Sequence, residues 1–269
     1  MELTRTTTSP GNKAHTRVAN MIKLLAFDLD DTLAPSKYPL PPAMAQALRR
    51  CLEELPVCVI SGAQYPQFQT QVIGPLQDVG ANLANLHLMP TCGTVYLRCQ
   101  GGRWVEQYRH DLPEDVRAQV KELIKETAEE LGYWINDPAG EIIEDRGTQL
   151  TYSALGQDAP LEEKRKWDPT GEKKIAMRQA LSVKLPQLQV RAGGSTSVDI
   201  TAHGIDKAYG MGQLLQATGL GKDEMLFIGD RLDPDGNDYP VKAAGYPTHG
   251  VSGWEDTVKL VLQLLDQRS

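Results

Sequence analysis

The segment Ile22-Lys23-Leu24-Leu25-Ala26-Phe27-Asp28-Leu29-Asp30-Asp31-Thr32 decides the fold. From Ile22 to Leu29 it is a short apolar run with one Lys at its edge. That pattern belongs to a strand buried on both faces, as in a parallel sheet. The run then breaks into carboxylates. Ligands of an open parallel sheet bind beyond the carboxyl ends of its strands, so Asp28 and Asp30 stand where chemistry is expected. Two residues apart, they share a face while the chain stays extended. Asp31-Thr32 marks a turn. Taken alone, the segment also has a plainer reading, because Asp caps loops at strand ends without any catalytic role.

Outward from this strand the same alternation repeats. Pro41-Pro42 opens a helix through about Glu54, with Pro tolerated in a first turn. Val57 to Ile60 reads as a second buried strand ending at Ser61-Gly62, followed by a helix from Tyr65 to Ile73 and a third strand at Leu86 to Met89. After Gly93 the grammar changes. Thr94–Arg98 and Trp104–Tyr108 alternate around Gly101-Gly102 as a hairpin. Pro113 to Leu131 is a charged helix, Glu141–Glu144 and Gln149–Ser153 are strand-like, and a charged, Pro-interrupted stretch leads to a helix at Gly171–Lys184. Leu188–Ala192 and Ser197–Thr201 form another strand pair around Gly193-Gly194. The strand–helix order resumes with Asp206–Ala217, Met225–Ile228 and Trp254–Leu265. The expected fold class is α/β: a Rossmann-like parallel sheet core, residues 21–92 and 202–269, with an inserted α+β domain at 93–201. Residues 1–20, rich in Thr and Ser, read as a flexible leader, and Met21 as an alternative start.

Composition narrows the function classes. The chain has 269 residues, enough for a full core and a second small domain. Its formal net charge of −7 argues against nucleic acid, whose phosphates demand clustered Lys and Arg. No apolar run reaches the roughly 18 residues needed to span a membrane. Cys51, Cys58, Cys92 and Cys99 form no CxxC pair and read as reduced thiols in a reducing, cytoplasmic setting.

Two further strand ends carry polar groups: Ile228-Gly229-Asp230, and Ile60-Ser61-Gly62. Carboxylates gathered at one sheet edge repel each other unless a positive charge compensates. Mg²⁺, a hard cation that takes oxygen ligands, compensates them and also binds phosphate oxygens. Four pieces in this order, namely Asp28-Leu29-Asp30-Asp31-Thr32, Ser61-Gly62, Lys207 at a helix start, and Gly229-Asp230 with Gly236-Asn237-Asp238, resemble the haloacid dehalogenase superfamily of phosphohydrolases and phosphomutases. The resemblance implies that Asp28 attacks phosphorus to form an aspartyl-phosphate. Asp30 then acts as acid and base, and Ser61, Gly62 and Lys207 hold the phosphoryl oxygens. It further implies a Mg²⁺ site from Asp28, the Asp30 main-chain carbonyl and Asp230, supported by Thr32, Asn237 and Asp238.

In that superfamily an insertion between Ser61 and Lys207 is a cap that reads the substrate. Gly193-Gly194-Ser195-Thr196-Ser197-Val198-Asp199-Ile200 is similar to the cap strand of the eukaryotic-type phosphomannomutases, which implies sugar contacts from Ser197 and Asp199. Arg146-Gly147-Thr148 resembles the start of their cap sheet, and Lys37 stands where they carry an Arg. The mutases follow this start with further arginines that clamp a second phosphate, whereas Gln149 to Pro160 holds neither Arg nor Lys. The expected activity is therefore a Mg²⁺-dependent phosphatase of a small phosphorylated metabolite, a sugar phosphate. A phosphomannomutase is the first alternative and a non-catalytic sugar-phosphate sensor the second. Lys164, Arg165 and Lys166, His203 and the strand residues Ser197 and Asp199 each have a bland reading as solvated surface or hinge. Monomer and homodimer both stay open.

Overall fold

The computed structural model describes residues 21–268; the leader expected at 1–20 lies outside them. In chain order the strands are β1 (Leu24–Phe27), β2 (Val57–Ile60), β3 (Leu86–Met89), β4 (Val95–Gln100), β5 (Arg103–Arg109), β6 (Ile143–Asp145), β7 (Gln149–Ser153), β8 (Gln189–Ala192), β9 (Ser197–Thr201), β10 (Met225–Gly229) and β11 (Thr248–Gly250). The α-helices are α1 (Pro42–Glu54), α2 (Tyr65–Phe68), α3 (Gly74–Asp78), α4 (Glu114–Glu130), α5 (Leu161–Trp167), α6 (Glu172–Lys184), α7 (Lys207–Thr218), α8 (Tyr239–Ala243) and α9 (Trp254–Asp266). A π-helical turn, Gln69–Ile73, joins α2 to α3. The chain forms two units, one up to Tyr108 and from Asp206 onward, the other Arg109–Ile205.

The first unit is built on a seven-stranded sheet of order β11-β10-β1-β2-β3-β4-β5. β1 lies parallel between β10 (Phe27 opposite Ile228) and β2 (Phe27 opposite Val59). All four β1 residues are buried, because neighbours flank the strand on both edges and helices cover both faces. On one face Met44, Leu48 and Leu52 of α1 pack with Val261 and Leu265 of α9. On the other, Met211 and Leu214 of α7 pack with Met225, Phe227 and Tyr246. Each large side chain removed from water in this way contributes about 1.5–3 kcal/mol. Cys51 and Cys58 lie in these layers, and burial pushes both thiols up, Cys51 to about 12, so neither is a nucleophile near neutrality.

The Gly101-Gly102 hairpin is a correction to the expected boundary at residue 93. β4 runs antiparallel to β3, with His87 opposite Arg98, and extends the core sheet. An antiparallel neighbour needs only a tight connection, and Thr91–Gly93 supplies one. The pairing buries His87 against Tyr96, Nδ1 to Oη 2.8 Å. The inserted unit consequently begins near 109 and ends near 205. Four short elements, α3, α5, α8 and β11, were not expected: α3, α5 and α8 each carry Pro at or beside their first residue, and β11 reads Thr-His-Gly with no apolar run.

The second unit holds a four-stranded antiparallel sheet, order β6-β7-β9-β8. Leu150, Tyr152, Val198 and Ile200 face α4 and α6, where Val120, Ile124, Met177 and Leu181 complete a separate core. Strand alternation places Gln149, Thr151 and Ser153 on the other face, opposite Thr201, Asp199 and Ser197. Among the described residues no helix is long and apolar enough to cross a membrane.

Candidate active site

Three neighbouring parallel strands end in the residues singled out from sequence. Asp28 follows β1, Asp230 follows β10 and Ser61 follows β2, so all three stand at the carboxyl edge of the sheet. The Asp28 N–H extends the ladder to the Ile228 carbonyl at 3.0 Å. Beyond it the chain turns sharply: the Leu29 carbonyl accepts from Leu33 N at 2.9 Å, and Asp31 takes a left-handed φ of 60°. Thr32 is buried in this turn. Its hydroxyl donates to Asp230 Oδ1 at 3.3 Å, and its carbonyl accepts from the Thr257 hydroxyl of α9 at 2.7 Å.

Lys207 opens α7 behind its N-cap Asp206, whose carboxylate accepts the Tyr209 N–H. Only 2% exposed, Lys207 Nζ lies 2.6 Å from Asp28 Oδ1 and 2.6 Å from Asp238 Oδ1. The second Asp238 oxygen accepts from Arg231 N at 3.1 Å. Gly229 permits this approach: a Cβ there would collide with the Asp238 carboxylate. Gly236 likewise has no room for a Cβ beside the Arg231 carbonyl, which fixes the loop that delivers Asp238.

The electrostatics follow from burial. Desolvation raises the Asp28 carboxyl, Lys207 opposes that shift, and Asp238 adds to it. Desolvation alone would lower Lys207, but Asp28 and Asp238 together raise it, so it stays an ammonium. The two shifts pull against each other, since a fully effective ion pair would lower Asp28. Burial of the carboxylates is the larger effect on Asp28, and one ammonium does not cancel it. Asp230 is raised by the same burial and by Asp238.

Asp28, Asp230 and Asp238 bring carboxylate oxygens within 4.8 Å of one another. Three carboxylates beside one ammonium leave an excess of negative charge, and an all-oxygen donor set suits a hard divalent cation. Both Asp238 oxygens already accept hydrogen bonds, so Asp28 and Asp230 are the better ligands. The Asp30 carboxylate is not in this group; its Oδ1 accepts from Lys37 N at 2.8 Å and from Gln71 Nε2 at 3.4 Å.

The remaining expected residues separate clearly. Ser61 is buried, its hydroxyl accepting from Ala63 N at 3.1 Å, and Gly62 beside it is exposed with open space around a virtual Cβ. Lys37 and Asn237 are exposed. Lys37 contributes its main-chain N–H to Asp30, and its own φ of 65° is left-handed. Ser197 and Asp199 lie in the second unit, where Asp199 Oδ1 accepts from Thr151 at 2.7 Å. Thr257 and Gln71 were not singled out from sequence: each follows other polar residues in a helical stretch, Glu255-Asp256 and Gln69-Thr70, with no motif around it. A cleft of about 530 Å³ lined by Tyr96, Arg98, Gln107 and Gln213 shares no residue with the acidic cluster and holds no carboxylate.

Residues 44–267 match the family described as eukaryotic phosphomannomutase. A probable phosphomannomutase of Caenorhabditis elegans is 24% identical over 260 residues, covering 94% of this chain and 99% of the relative. A haloacid dehalogenase-like hydrolase from Bacteroides thetaiotaomicron has the same fold, with a TM-score of 0.63 at 16% identity over 90% of this chain and 99% of that one. An IMP-bound mutant of the Plasmodium falciparum IMP-nucleotidase gives 0.66 at 15% identity, over 95% and 70%. The fold and the family match together define an enzyme of phosphoryl transfer in the haloacid dehalogenase superfamily, with phosphatase or mutase chemistry. Within that class the chain belongs to the eukaryotic phosphomannomutase family. Phosphotransferases of this superfamily generally use Mg²⁺, and the acidic cluster fits such an ion.

Proposed function

We propose that the protein is a Mg²⁺-dependent phosphatase of a small sugar phosphate, with water as the final acceptor. An Asp28 oxygen attacks phosphorus as the ester oxygen leaves with a proton from Asp30. Asp30, now a carboxylate, takes a proton from water as that water attacks the aspartyl-phosphate. Phosphate departs and Asp28 is restored. Lys207 holds Asp28 and, with Ser61, faces the charge on the transferring oxygens. Asp28, Asp230 and the Asp30 carbonyl would hold Mg²⁺, which supplies positive charge against the phosphoryl group when bound.

The observation that carries water over a sugar hydroxyl is the use made of cations in the inserted unit. A mutase must grip the second phosphate of a bisphosphate, which takes open, charge-assisted donors. Here Arg146 is paired with Glu144 at 2.8 Å, and Arg191 donates to the Ile205 carbonyl at 2.6 Å. Lys174 donates to the Gly194 carbonyl and Lys164 to the Gln157 carbonyl, each at 2.9 Å. Lys166 pairs with Glu162 at 2.8 Å. Gln149 to Pro160 adds no cation. The polar sheet face bearing Ser197, Asp199 and Thr151 suits hydroxyl groups better than a phosphate.

A panel of sugar phosphates with Mg²⁺ tests this: steady release of inorganic phosphate is expected, stopping in Asp28→Asn. The mutase reading keeps one specific support, family membership together with the Gly193–Ile200 strand. It requires interconversion of hexose 1- and 6-phosphates stimulated by a bisphosphate.

A further inference from the structure

Gln71 is 1% exposed, while its helical neighbours Gln69 and Thr70 face solvent. A buried glutamine must account for an amide, a carbonyl and its own main chain. The sequence explains how its main chain is released. In an α-helix the N–H of residue 75 would bond the carbonyl of residue 71, but residue 75 is proline and has no N–H. The helix opens into the π turn Gln69–Ile73, and the Gln71 carbonyl accepts instead from Leu40 N at 2.9 Å. Such π turns recur at functional sites.

The side chain reaches the same segment. Gln71 Nε2 donates to the Tyr38 carbonyl at 2.8 Å and to Asp30 Oδ1 at 3.4 Å, and Oε1 accepts from Gln67 Nε2 at 2.7 Å. Asp30 Oδ1 also accepts from Lys37 N. Lys37, Tyr38 and Leu40 belong to the loop that follows the Asp28 turn, so one glutamine fixes both that loop and the carboxylate.

The geometry points to Gln71 as the positioning residue for Asp30. Two N–H donors hold Oδ1, which sets the carboxyl rotamer and leaves Oδ2 to carry the transferable proton. This rests on the acid–base role given to Asp30 above. General-acid help matters for a poor leaving group and little for a good one, so loss of positioning must be selective. Gln71→Met keeps the length and bulk and removes the amide that donates to Asp30 and to the Tyr38 carbonyl, while the Lys37 N–H stays.

The experiment compares kcat/KM for glucose 6-phosphate, an alkyl ester, with that for p-nitrophenyl phosphate, in wild type, Gln71→Met and Asp30→Asn. The ratio of the two substrates is independent of how much protein is folded. In Gln71→Met the alkyl ester is expected to fall by about 10–100-fold, below the full 10²–10⁴-fold worth of the acid, with the aryl ester within about 3-fold. Asp30→Asn is expected to be more selective still. Equal losses on both substrates in Gln71→Met, or no loss, beside a selective Asp30→Asn would overturn the role of Gln71 alone. An unselective Asp30→Asn would overturn the acid–base reading and this inference with it.

Discussion

Replacing Lys207 by Met removes the ammonium that Asp28 and Asp238 share at 2.6 Å each. Both acids are nearly inaccessible to water, so the loss leaves buried charge uncompensated. Lys207→Met is expected to cost about 3–5 kcal/mol in urea unfolding and at least about 10²-fold in turnover. Asp28→Asn should abolish turnover without a comparable loss of stability, because Lys207 keeps Asp238 and a desolvated carboxylate is gone. His87 tests burial of a different kind. Burial first, and Arg98 second, lower its pKa from 6.5 to about 3. Its contribution is therefore fully present above pH 6.5 and is lost as the pH falls toward 3. His87→Phe should flatten the acid limb of the stability curve across that window, a difference on the order of a few kcal/mol at its lower end. Asp28, Lys207 and Asp230 were legible because each sits at a strand end or helix start in a fixed order. Gln71 was not, because a Gln in a short helix looks the same whether it faces water or Asp30. What turns it inward is Pro75, four residues on, together with a loop from another part of the chain.

Elements set the positions of these groups through close backbone approach. α7 carries Lys207 at its first residue and Gly210 one turn later, against Thr91–Gly93. That turn holds three successive left-handed residues, φ 49°, 56° and 86°, and Cys92 N donates to the Ser61 carbonyl at 2.9 Å. It thus touches both the Ser61 loop and the Lys207 helix. A Cβ on Gly210 would lie 2.9 Å from the Cys92 carbonyl oxygen and 3.1 Å from Ile60 Cγ2. Gly210→Ala is accordingly expected to destabilise by about 1–3 kcal/mol and to lower kcat more than it raises KM, since α7 must shift outward with Lys207. β2 and β3 could be read from sequence to the residue, because each is a short run, apolar but for His87 in β3, closed by punctuation. The placement of the β4–β5 hairpin could not, because a hairpin carries no label for the sheet it joins. That choice is made by His87 and Tyr96 packing across β3 and β4.

Across the whole molecule the carboxylate excess ties stability to divalent cation. An ion that binds the folded cluster and not the unfolded chain raises the melting midpoint by mass action. Scanning calorimetry with increasing Mg²⁺ should show a rise of a few degrees in wild type and a much smaller one in Asp230→Asn. A rise of equal size in the variant would place the ion elsewhere. The inserted unit has its own core, and its sheet cations are already bonded within it. Its sequence revealed the missing arginines, but only the structure shows how Arg146 and Arg191 are engaged. The phosphatase assignment depends on that engagement, and ³¹P NMR of the protein with mannose 6-phosphate, Mg²⁺ and a trace of hexose 1,6-bisphosphate tests it most directly. The account predicts growth of the inorganic phosphate signal with no hexose 1-phosphate. Appearance of the 1-phosphate with phosphate at background would contradict it and make a sugar hydroxyl the acceptor.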